Sequence, residues 1–136
     1  MFFDFTFAAF EEFCQRITHM PVFTVANYLT RAKPPPTPYL ILRFDVDYRE
    51  EHALYMARIA ERHHLTGSFY FRHREDGFAL DVMRAVAELG HEVGYHFETL
   101  DSCQGNFDCA AAVSLEHLAM LRGAGLTIRT AAVHGS

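Results

Sequence analysis

The sequence predicts an α/β fold in which parallel strands alternate with helices. From Tyr39 onwards, short runs rich in β-branched and aromatic residues alternate with segments that carry apolar residues at helical spacing. Glycines follow the helical segments, at Gly67, Gly90 and Gly125. Strands separated by helices of this length form βαβ units, whose strands lie side by side in a parallel sheet.

The composition indicates one folded domain and excludes several classes of protein. The chain has 136 residues, of which 50% are hydrophobic and 13 are phenylalanine, and its net charge is −5. A chain of this size buries a substantial core, and it lacks the basic stripe that binds nucleic acid. No apolar run approaches the roughly 20 residues of a membrane span. We therefore expect neither a nucleic acid nor a membrane as a partner.

The cysteines and the N-terminus predict a cytoplasmic protein. Cys14, Cys103 and Cys109 show no CxxC spacing and are odd in number, which suits a reducing cytosol better than a disulfide framework. The first residues, Met1 to Asp4, are apolar, but they lack a basic leader and carry an early acid. Such a segment makes a poor signal peptide.

Residues 1–38 are expected to form a helical lead-in with a Pro-rich connector. Helical spacing predicts a first helix over residues 5–18, and Thr24 is the expected N-cap of a brief second helix. The prolines between Lys33 and Pro38 predict a stiff, extended connector. This segment is too small to hold its own core, so it should cover another part of the molecule.

Four strands and three helices are expected after the connector. The strands are predicted at 39–45, 68–72, 92–97 and 127–133, and the helices at 49–63, 79–89 and 108–122. A loop through Gly105 separates the third strand from the last helix. Asp108 is the expected N-cap of that helix, and its expected inward residues are Leu115, Leu118 and Ala119.

Polar side chains gather where each predicted strand ends. Asp45 and Asp47 stand one residue apart at the end of the first strand, and strand alternation places them on the same face as Arg43. The same period gives three further sets: Ser68, Tyr70 and Arg72; Gly94, His96 and Glu98; Thr130, Ala132 and His134. Because reacting groups gather at the carboxyl ends of parallel strands, we expect these sets to converge on one site.

The acids and imidazoles of these sets predict a divalent metal site. Two neighbouring carboxylates are costly unless positive charge lies between them. Asp47 and His96 are the expected ligands, with a third to be found, and this donor set suits Zn²⁺, although Fe²⁺, Co²⁺ and Mn²⁺ also accept it. Asp45 would then act as general base on a water, kept ionised by Arg43 or Arg72.

Structural roles compete with these assignments. Asp45 and Asp47 could be a helix N-cap and an ion-pair partner, His96 a buried hydrogen-bonded histidine, and His134 a turn residue. The remaining histidines are expected at the surface or at helix ends: His19, His52, His63, His64, His73, His91 and His117. A zinc knuckle is disfavoured by the irregular spacing of its candidate ligands, His91, His96, Cys103 and Cys109.

Three segments form an ordered set of motifs. They are Arg43–Asp47 (RFDVD), Ser68–Arg72 (SFYFR) and Gly90–His96 (GHEVGYH). In this order they resemble the polysaccharide deacetylase family of carbohydrate esterases, and the resemblance runs from about Tyr39 to Ser136. It implies a distorted (β/α) barrel, a divalent metal that is usually zinc, and removal of N- or O-acetyl groups from sugars. It also implies that Asp45 is the catalytic base and that Asp47 and His96 are metal ligands.

The sequence departs from that family at two points. A second ligand histidine commonly follows the first by four residues, and Leu100 stands there. The segment His134-Gly135-Ser136 is similar to the HGS segment of a deacetylase-like branch, which makes His134 the expected third ligand and Glu98 the next candidate. The family barrel also needs several more βα units than this chain has. We therefore expect an incomplete barrel over residues 39–136.

The resemblance implies an acetylated sugar or glycan as the substrate, and we assign Arg43, Arg72 and Glu98 to binding it. The alternative is a non-catalytic, deacetylase-like module for carbohydrate binding or assembly. Leu100 and the early end of the chain favour that alternative, and an open barrel edge would favour self-association. A DxD phosphatase is less well supported, because Tyr48 and Arg49 do not supply the small turn and threonine that it needs.

Overall fold

In the computed structural model, residues 5–135 of the chain form six helices and six strands. The helices are α1 (Phe7–Ile17), α2 (Val25–Leu29), α3 (Glu50–Arg62), α4 (Leu80–Glu88), α5 (Thr99–Ser102) and α6 (Phe107–Gly123). The strands are β1 (Val22–Phe23), β2 (Leu40–Ile41), β3 (Arg43–Val46), β4 (Ser68–Phe71), β5 (Glu92–Phe97) and β6 (Ala131–Val133). The predictions for Met1 to Asp4 and for Ser136 lie outside the described residues. Within residues 5–135, no helix combines the length and the apolar character that a membrane crossing requires.

The last four strands form one parallel sheet in the order β3-β4-β5-β6, which curls into half of a barrel. Asp45 lies opposite Tyr70, which in turn lies opposite Gly94, so equivalent positions of neighbouring strands share one level of the barrel. The crossovers run through α3, α4 and the pair α5–α6. The predicted partial (β/α) barrel with flanking helices is confirmed.

The apolar face of the sheet packs under the helices. Strand alternation places Phe69, Phe71, Val93 and Tyr95 on this face, and all four are almost fully buried. They meet a small group of helix residues: Ala53, Ala57, Met83, Val86 and Leu121. Each large side chain buried here stabilises the fold by about 1.5–3 kcal/mol. The opposite face of the sheet is thereby left to line the inside of the half-barrel.

The lead-in covers the end of the half-barrel where the strands begin. Thr24 caps α2, as predicted, by accepting a hydrogen bond from the Asn27 N–H at 3.2 Å. The next two backbone N–H groups reach the sheet: Val25 donates to Ser68 Oγ at 2.9 Å and Ala26 donates to Glu92 Oε2 at 3.0 Å. Because Ser68 and Glu92 are the first residues of β4 and β5, the opposite end of the strands stays open for a site.

Two predictions for the strands are corrected. The strand predicted at 39–45 is split, because β2 pairs with β1 of the lead-in and β3 pairs with β4, with the buried Leu42 between them. The strand predicted at 127–133 is only Ala131–Val133. The residues before Ala131 have no regular secondary structure, and Ile128 among them is buried in the core.

The region before and along α6 also differs from prediction. The loop predicted after β5 contains α5, and the N-cap of α6 is Asn106, not Asp108, since Asn106 Oδ1 accepts from the Cys109 N–H at 2.9 Å. Leu115 is 68% exposed and Ala119 is also exposed, so neither faces the core. The helix buries Ala110 and Leu121 instead. Because apolar residues occur on several faces of α6, their spacing alone predicted the wrong face to pack against the core.

A disulfide joins Cys103 to Cys109, which corrects the expectation that the cysteines are thiols. The turn between α5 and α6 brings the two Cα atoms to 5.9 Å, a normal distance for a bridge. Cys14 is free and buried, and burial raises the pKa of its thiol. The bridge also removes two of the four ligands of the zinc knuckle.

Candidate metal centre

The carboxyl ends of three strands bring Asp47, His96 and His134 together, and we call these three residues the metal triad. Asp47 follows β3, His96 lies on β5 and His134 follows β6. One ligand atom from each lies within 4.8 Å of the other two, and no second group of this kind occurs in residues 5–135. Asp47 Oδ1 is 3.6 Å from His96 Nε2 and 3.1 Å from His134 Nε2. A single carboxylate oxygen thus lies close to both imidazoles.

Backbone contact fixes the orientation of His96. The side chain is 2% exposed, and its Nδ1 lies 3.1 Å from the carbonyl oxygen of Ala132. Because a carbonyl oxygen only accepts hydrogen bonds, this contact favours the tautomer that carries its proton on Nδ1 and its lone pair on Nε2. That lone pair is on the nitrogen nearest Asp47, as metal coordination requires.

One oxygen of Asp47 is buried and has no hydrogen-bond partner. This atom, Oδ1, is also the one that faces both histidines. A buried carboxylate oxygen without a partner is costly, and a cation bound between it and the two imidazole nitrogens would satisfy it. One carboxylate oxygen and two imidazole nitrogens therefore fit a divalent metal.

Asp45 lies beside the triad and is held by Arg43. Its Oδ2 is 4.0 Å from His96 Nε2. Arg43 donates two hydrogen bonds to it, from Nε to Oδ1 at 2.8 Å and from Nη2 to Oδ2 at 2.9 Å. This forked contact raises the pKa of Arg43 and keeps an opposite charge against the carboxylate. Asp45 is thus oriented by Arg43, which lies two residues earlier on the same face of β3.

Arg72 and Glu98 form a second ion pair at the rim of the triad. Arg72 Nη2 lies 2.6 Å from both oxygens of Glu98, and this contact lowers the pKa of Glu98. Glu98 Oε2 is 3.8 Å from His134 Nδ1, and Arg72 Nη1 is 3.7 Å from Asp47 Oδ1. Glu98 is therefore engaged by Arg72 and lies behind His134, rather than among the three atoms that converge.

A tyrosine fills the half-barrel at the level of Asp45. Tyr70 lies across Gly94 of the next strand, where any added Cβ would overlap its ring. The Tyr70 hydroxyl is 2.8 Å from Thr130 Oγ1, and burial raises the pKa of Tyr70. The Arg43 guanidinium lies 5.1 Å from the Tyr70 ring centroid. Gly94 is therefore needed for Tyr70 to support Arg43.

The triad opens into a cleft of about 780 Å³. Its walls include Tyr48, Arg72, Glu98, His73 and His117. Arg72 and Glu98, which the sequence assigned to substrate, line this cleft, whereas Arg43 is turned towards Asp45. His73 and His117 were expected at the surface or at helix ends, not in a cleft. Only for His73 did the sequence contain a feature that could have predicted a place in the cleft, because His73 directly follows Arg72 at the end of a strand.

The prediction for His91 is also wrong, because this histidine is buried and connects three parts of the fold. Its Nδ1 accepts from the Gly67 N–H at 3.1 Å, and its Nε2 lies 2.8 Å from the carbonyl oxygen of Ala57. Burial lowers the pKa of His91. Both ring nitrogens are used by the backbone, so His91 cannot serve as a ligand of a zinc knuckle.

The structure thus brings together the acids and histidines that the sequence placed at strand ends. Three of them form the metal triad, Asp45 stands beside it with Arg43, and the Arg72–Glu98 pair supports its rim. Comparison of the chain with protein-family models, with curated proteins and with solved structures finds no match.

Proposed function

We propose that this chain is a metal-dependent hydrolase that removes acetyl groups from an N- or O-acetylated sugar, as the polysaccharide deacetylases it resembles do. The observation that carries the proposal is Asp47 Oδ1, a buried carboxylate oxygen without a hydrogen bond that faces two imidazole nitrogens. A second carboxylate, Asp45, lies at 4.0 Å from the same His96 nitrogen. Because Asp45 lies outside the metal triad, the role of general base suits it better than that of a fourth metal ligand.

Asp47, His96 and His134 would hold the metal, and their donor set suits Zn²⁺ best among divalent ions. When bound, zinc supplies positive charge that polarises the substrate carbonyl and lowers the pKa of a water. The remaining chemistry belongs to the chain. Asp45 takes a proton from the attacking water, and Arg43 orients this carboxylate through hydrogen bonds to both of its oxygens.

The cleft beside the triad would hold the sugar. Its volume of about 780 Å³ falls in the range of small-molecule sites. Tyr48 offers an exposed aromatic ring at the cleft wall, and Arg72 and Glu98 offer polar groups. We assign Arg72 and Glu98 to lining the substrate site, and Arg43 to orienting the base.

Metal content tests the site. Wild-type protein loaded with zinc and then dialysed should retain one equivalent, whereas Asp47→Ala and His96→Ala should each retain far less. Asp45→Asn should keep the zinc but lose acetate release from acetylated sugars by at least about 100-fold, as expected for loss of a general base. His19→Ala, at an exposed position outside the cleft, is the matched control. Full zinc in both the Asp47 and His96 variants would refute the site.

A non-catalytic assembly module is the second candidate, and exposed apolar surface favours it. Phe107, Leu115 and Met120 of α6 and Val133 of β6 are all exposed, and β6 forms one edge of the sheet. An open edge pairs readily with another strand. This candidate predicts self-association in sedimentation experiments and no acetate release from the zinc-loaded wild type, whereas the first proposal predicts acetate release.

The cytoplasmic location stays a prediction, and the Cys103–Cys109 disulfide removes the cysteine argument for it. Disulfides persist in oxidising compartments and are rare in the cytosol. The number of cysteines alkylated when the protein is isolated from its own cells in denaturant with excess alkylating reagent distinguishes a reducing from an oxidising compartment. A reducing compartment gives three thiols from the three cysteines, and an oxidising one gives only Cys14.

A further inference from the structure

Two histidines that the proposed chemistry does not use lie against each other on the wall of the cleft. His73 follows β4 and His117 lies on α6, and their ring centroids are 4.1 Å apart with planes inclined by 13°. Phe78 packs edge-on against both rings, with centroids at 5.0 and 5.6 Å. Because its ring is packed against these two neighbours, the orientation of His117 is defined before any ligand binds.

Tyr95 favours one tautomer of His117. The Tyr95 hydroxyl lies 2.6 Å from His117 Nδ1, and burial raises the pKa of Tyr95 to about 12. The hydroxyl is therefore protonated at neutral pH and has a hydrogen to donate to Nδ1. Burial, and then the neighbouring His73, lowers the pKa of His117, which favours the neutral ring. A neutral imidazole that accepts at Nδ1 carries its own proton on Nε2.

The Nε2–H group of His117 is left for a ligand. The two nitrogens of an imidazole point in widely different directions, so Nε2 points away from the Tyr95 hydroxyl. In the part of the chain that the structure describes, Nε2 makes no hydrogen bond. His117 is half-buried and lines the same cleft as Asp47 and His96. An oriented N–H without a partner at the wall of a cleft suits an oxygen acceptor of a ligand.

The carboxylates near His117 disfavour an anionic ligand. Glu75 and Asp76 line the cleft, are exposed, and form no salt bridge within residues 5–135. Glu116 directly precedes His117 on α6 and adds a third carboxylate close to the ring. A ligand that carries a carboxylate, sulfate or phosphate would meet like charge on this side of the cleft.

The two arginines of the cleft do not offset these acids, because each is already paired. Arg72 Nη2 lies 2.6 Å from Glu98 Oε2, and Arg74 Nη1 lies 2.9 Å from Glu50 Oε1. An anionic group would have to displace a carboxylate from one of these guanidinium groups before it could bind there. An uncharged ligand needs no such exchange, and it can accept directly from a neutral N–H group.

We propose that His117 determines substrate specificity: its Nε2–H donates a hydrogen bond to an uncharged oxygen of the bound sugar, and the cleft selects uncharged over anionic glycans. This inference rests on the proposed function, which places the sugar in this cleft. Hydroxyl and acetyl oxygens are acceptors that match a neutral donor. His117 takes no part in bond breaking, so its loss should raise KM and leave kcat unchanged.

Sugar binding tests the hydrogen bond without relying on turnover. The probe is an uncharged trimer of N-acetylglucosamine, titrated calorimetrically into zinc-loaded protein that carries Asp45→Asn, so that the trimer is not consumed. Adding His117→Leu should weaken binding by about 10-fold, since one hydrogen bond is lost. His117→Gln keeps an acceptor and an N–H donor on one side chain and should stay within about twofold. His19→Leu, at an exposed position outside the cleft, should change nothing.

A charged probe tests the selection. An oligosaccharide in which N-acetylglucosamine alternates with glucuronic acid should bind at least about 10-fold more weakly than the uncharged trimer. His117→Lys places a cation at the cleft wall and should reduce this ratio by about fivefold. A merely structural role of His117 predicts no gain for the anionic sugar. An unchanged ratio in His117→Lys, or equal binding of the two sugars before the change, would refute the selection.

Three further results would overturn the hydrogen bond: unchanged trimer binding in His117→Leu, equal losses in His117→Leu and His117→Gln with unchanged zinc content and circular dichroism, or no binding of the trimer at all. If His117→Leu does not fold, the NMR resonance of the His117 Nε2 nitrogen in the wild type provides the test. It should shift when the trimer is added, and a constant resonance would contradict the proposal. Trimer binding that depends on His117, without acetate release from the wild type, would refute the proposed hydrolase alone.

Discussion

Among the three residues of the triad, His134 depends most on its neighbours. His96 is buried and its Nδ1 is fixed by a backbone carbonyl, whereas the His134 side chain is 23% exposed and follows an edge strand. Glu98 Oε2 lies 3.8 Å from its Nδ1, and Glu98 is held in turn by Arg72. A carboxylate behind a ligand histidine orients the ring and raises its basicity. Glu98 should therefore control how well His134 binds a metal.

Replacing Glu98 by glutamine should weaken zinc binding by about 10–100-fold, because His134 loses the charge behind it while all three ligand atoms remain. Competition with a chromophoric chelator measures the affinity. Glu88→Gln, at an exposed position at the end of α4, serves as the control and should bind zinc as wild type does. Unchanged zinc affinity in Glu98→Gln would mean that the Glu98 carboxylate does not support His134.

Single residues were predictable where strand alternation decides their direction. Asp45 and Asp47 face the site together because they are two positions apart, and the same rule selected His96 and His134. The partners of these residues were not predictable in the same way. The pairing of Arg72 with Glu98 depends on how β4 and β5 align, and the sequence of either strand alone does not contain that alignment.

At the level of elements, His91 connects α3 to the sheet. It accepts a hydrogen bond from Gly67, at the start of β4, and donates one to Ala57 of α3, while its own backbone leads into β5. Only the neutral ring can make both bonds, because protonation would place a hydrogen on Nδ1 opposite the Gly67 N–H. Burial lowers the pKa of His91 in agreement with this. The contact between these elements should therefore depend on pH.

We expect the free energy of unfolding to decrease as the pH falls from about 7.5 to 5.5, partly because of His91. In the unfolded chain this histidine has its ordinary pKa of about 6.5, and in the folded chain its pKa is lower, so the unfolded state binds more protons in this range. The stabilisation is complete above the unfolded pKa and is lost as the pH falls through the folded one. Urea unfolding at several pH values measures it.

The variant His91→Gln separates this contribution from those of other groups. It should lower the free energy of unfolding by about 1–3 kcal/mol at pH 7.5, since the two buried backbone groups lose good partners. It should also make the dependence on pH shallower than in wild type. His19→Gln, at an exposed position, should keep the wild-type dependence. An unchanged pH dependence in His91→Gln would contradict the role given to this histidine.

Elements with one clear apolar stripe were predicted to within a residue or two, as α3, α4 and β5 show. The errors occur where several arrangements satisfy the same pattern. Helix α6 carries alanines, leucines and methionine around much of its circumference, so the face that meets the core depends on the packing of Leu121 and Ala110. Helix α5 has a single turn, too short for periodicity to reveal.

On the scale of the whole molecule, Glu92 ties the lead-in to the half-barrel. Its Oε2 accepts from Ser68 Oγ at 2.5 Å and from the Ala26 N–H at 3.0 Å, and its Oε1 accepts from Thr130 Oγ1. One carboxylate thus joins α2, β4, β5 and the segment before β6. From the sequence, Glu92 was predicted only to be the first residue of a strand. Its hydrogen-bond partners are distant in the sequence, so strand periodicity could not reveal them.

Removing this carboxylate should loosen the lead-in and the half-barrel together. Glu92→Ala leaves two hydroxyls and a backbone N–H without their acceptor, so we expect the free energy of unfolding to fall by about 3 kcal/mol. Amide hydrogen exchange should accelerate in α2 as well as at the start of β4, because Ala26 and Ser68 share the lost partner. Glu88→Ala, four residues earlier and exposed, should change neither quantity. Loss of stability without faster exchange in α2 would show that Glu92 stabilises the sheet alone, and that α2 is held mainly by its bond to Ser68 and by its neighbours.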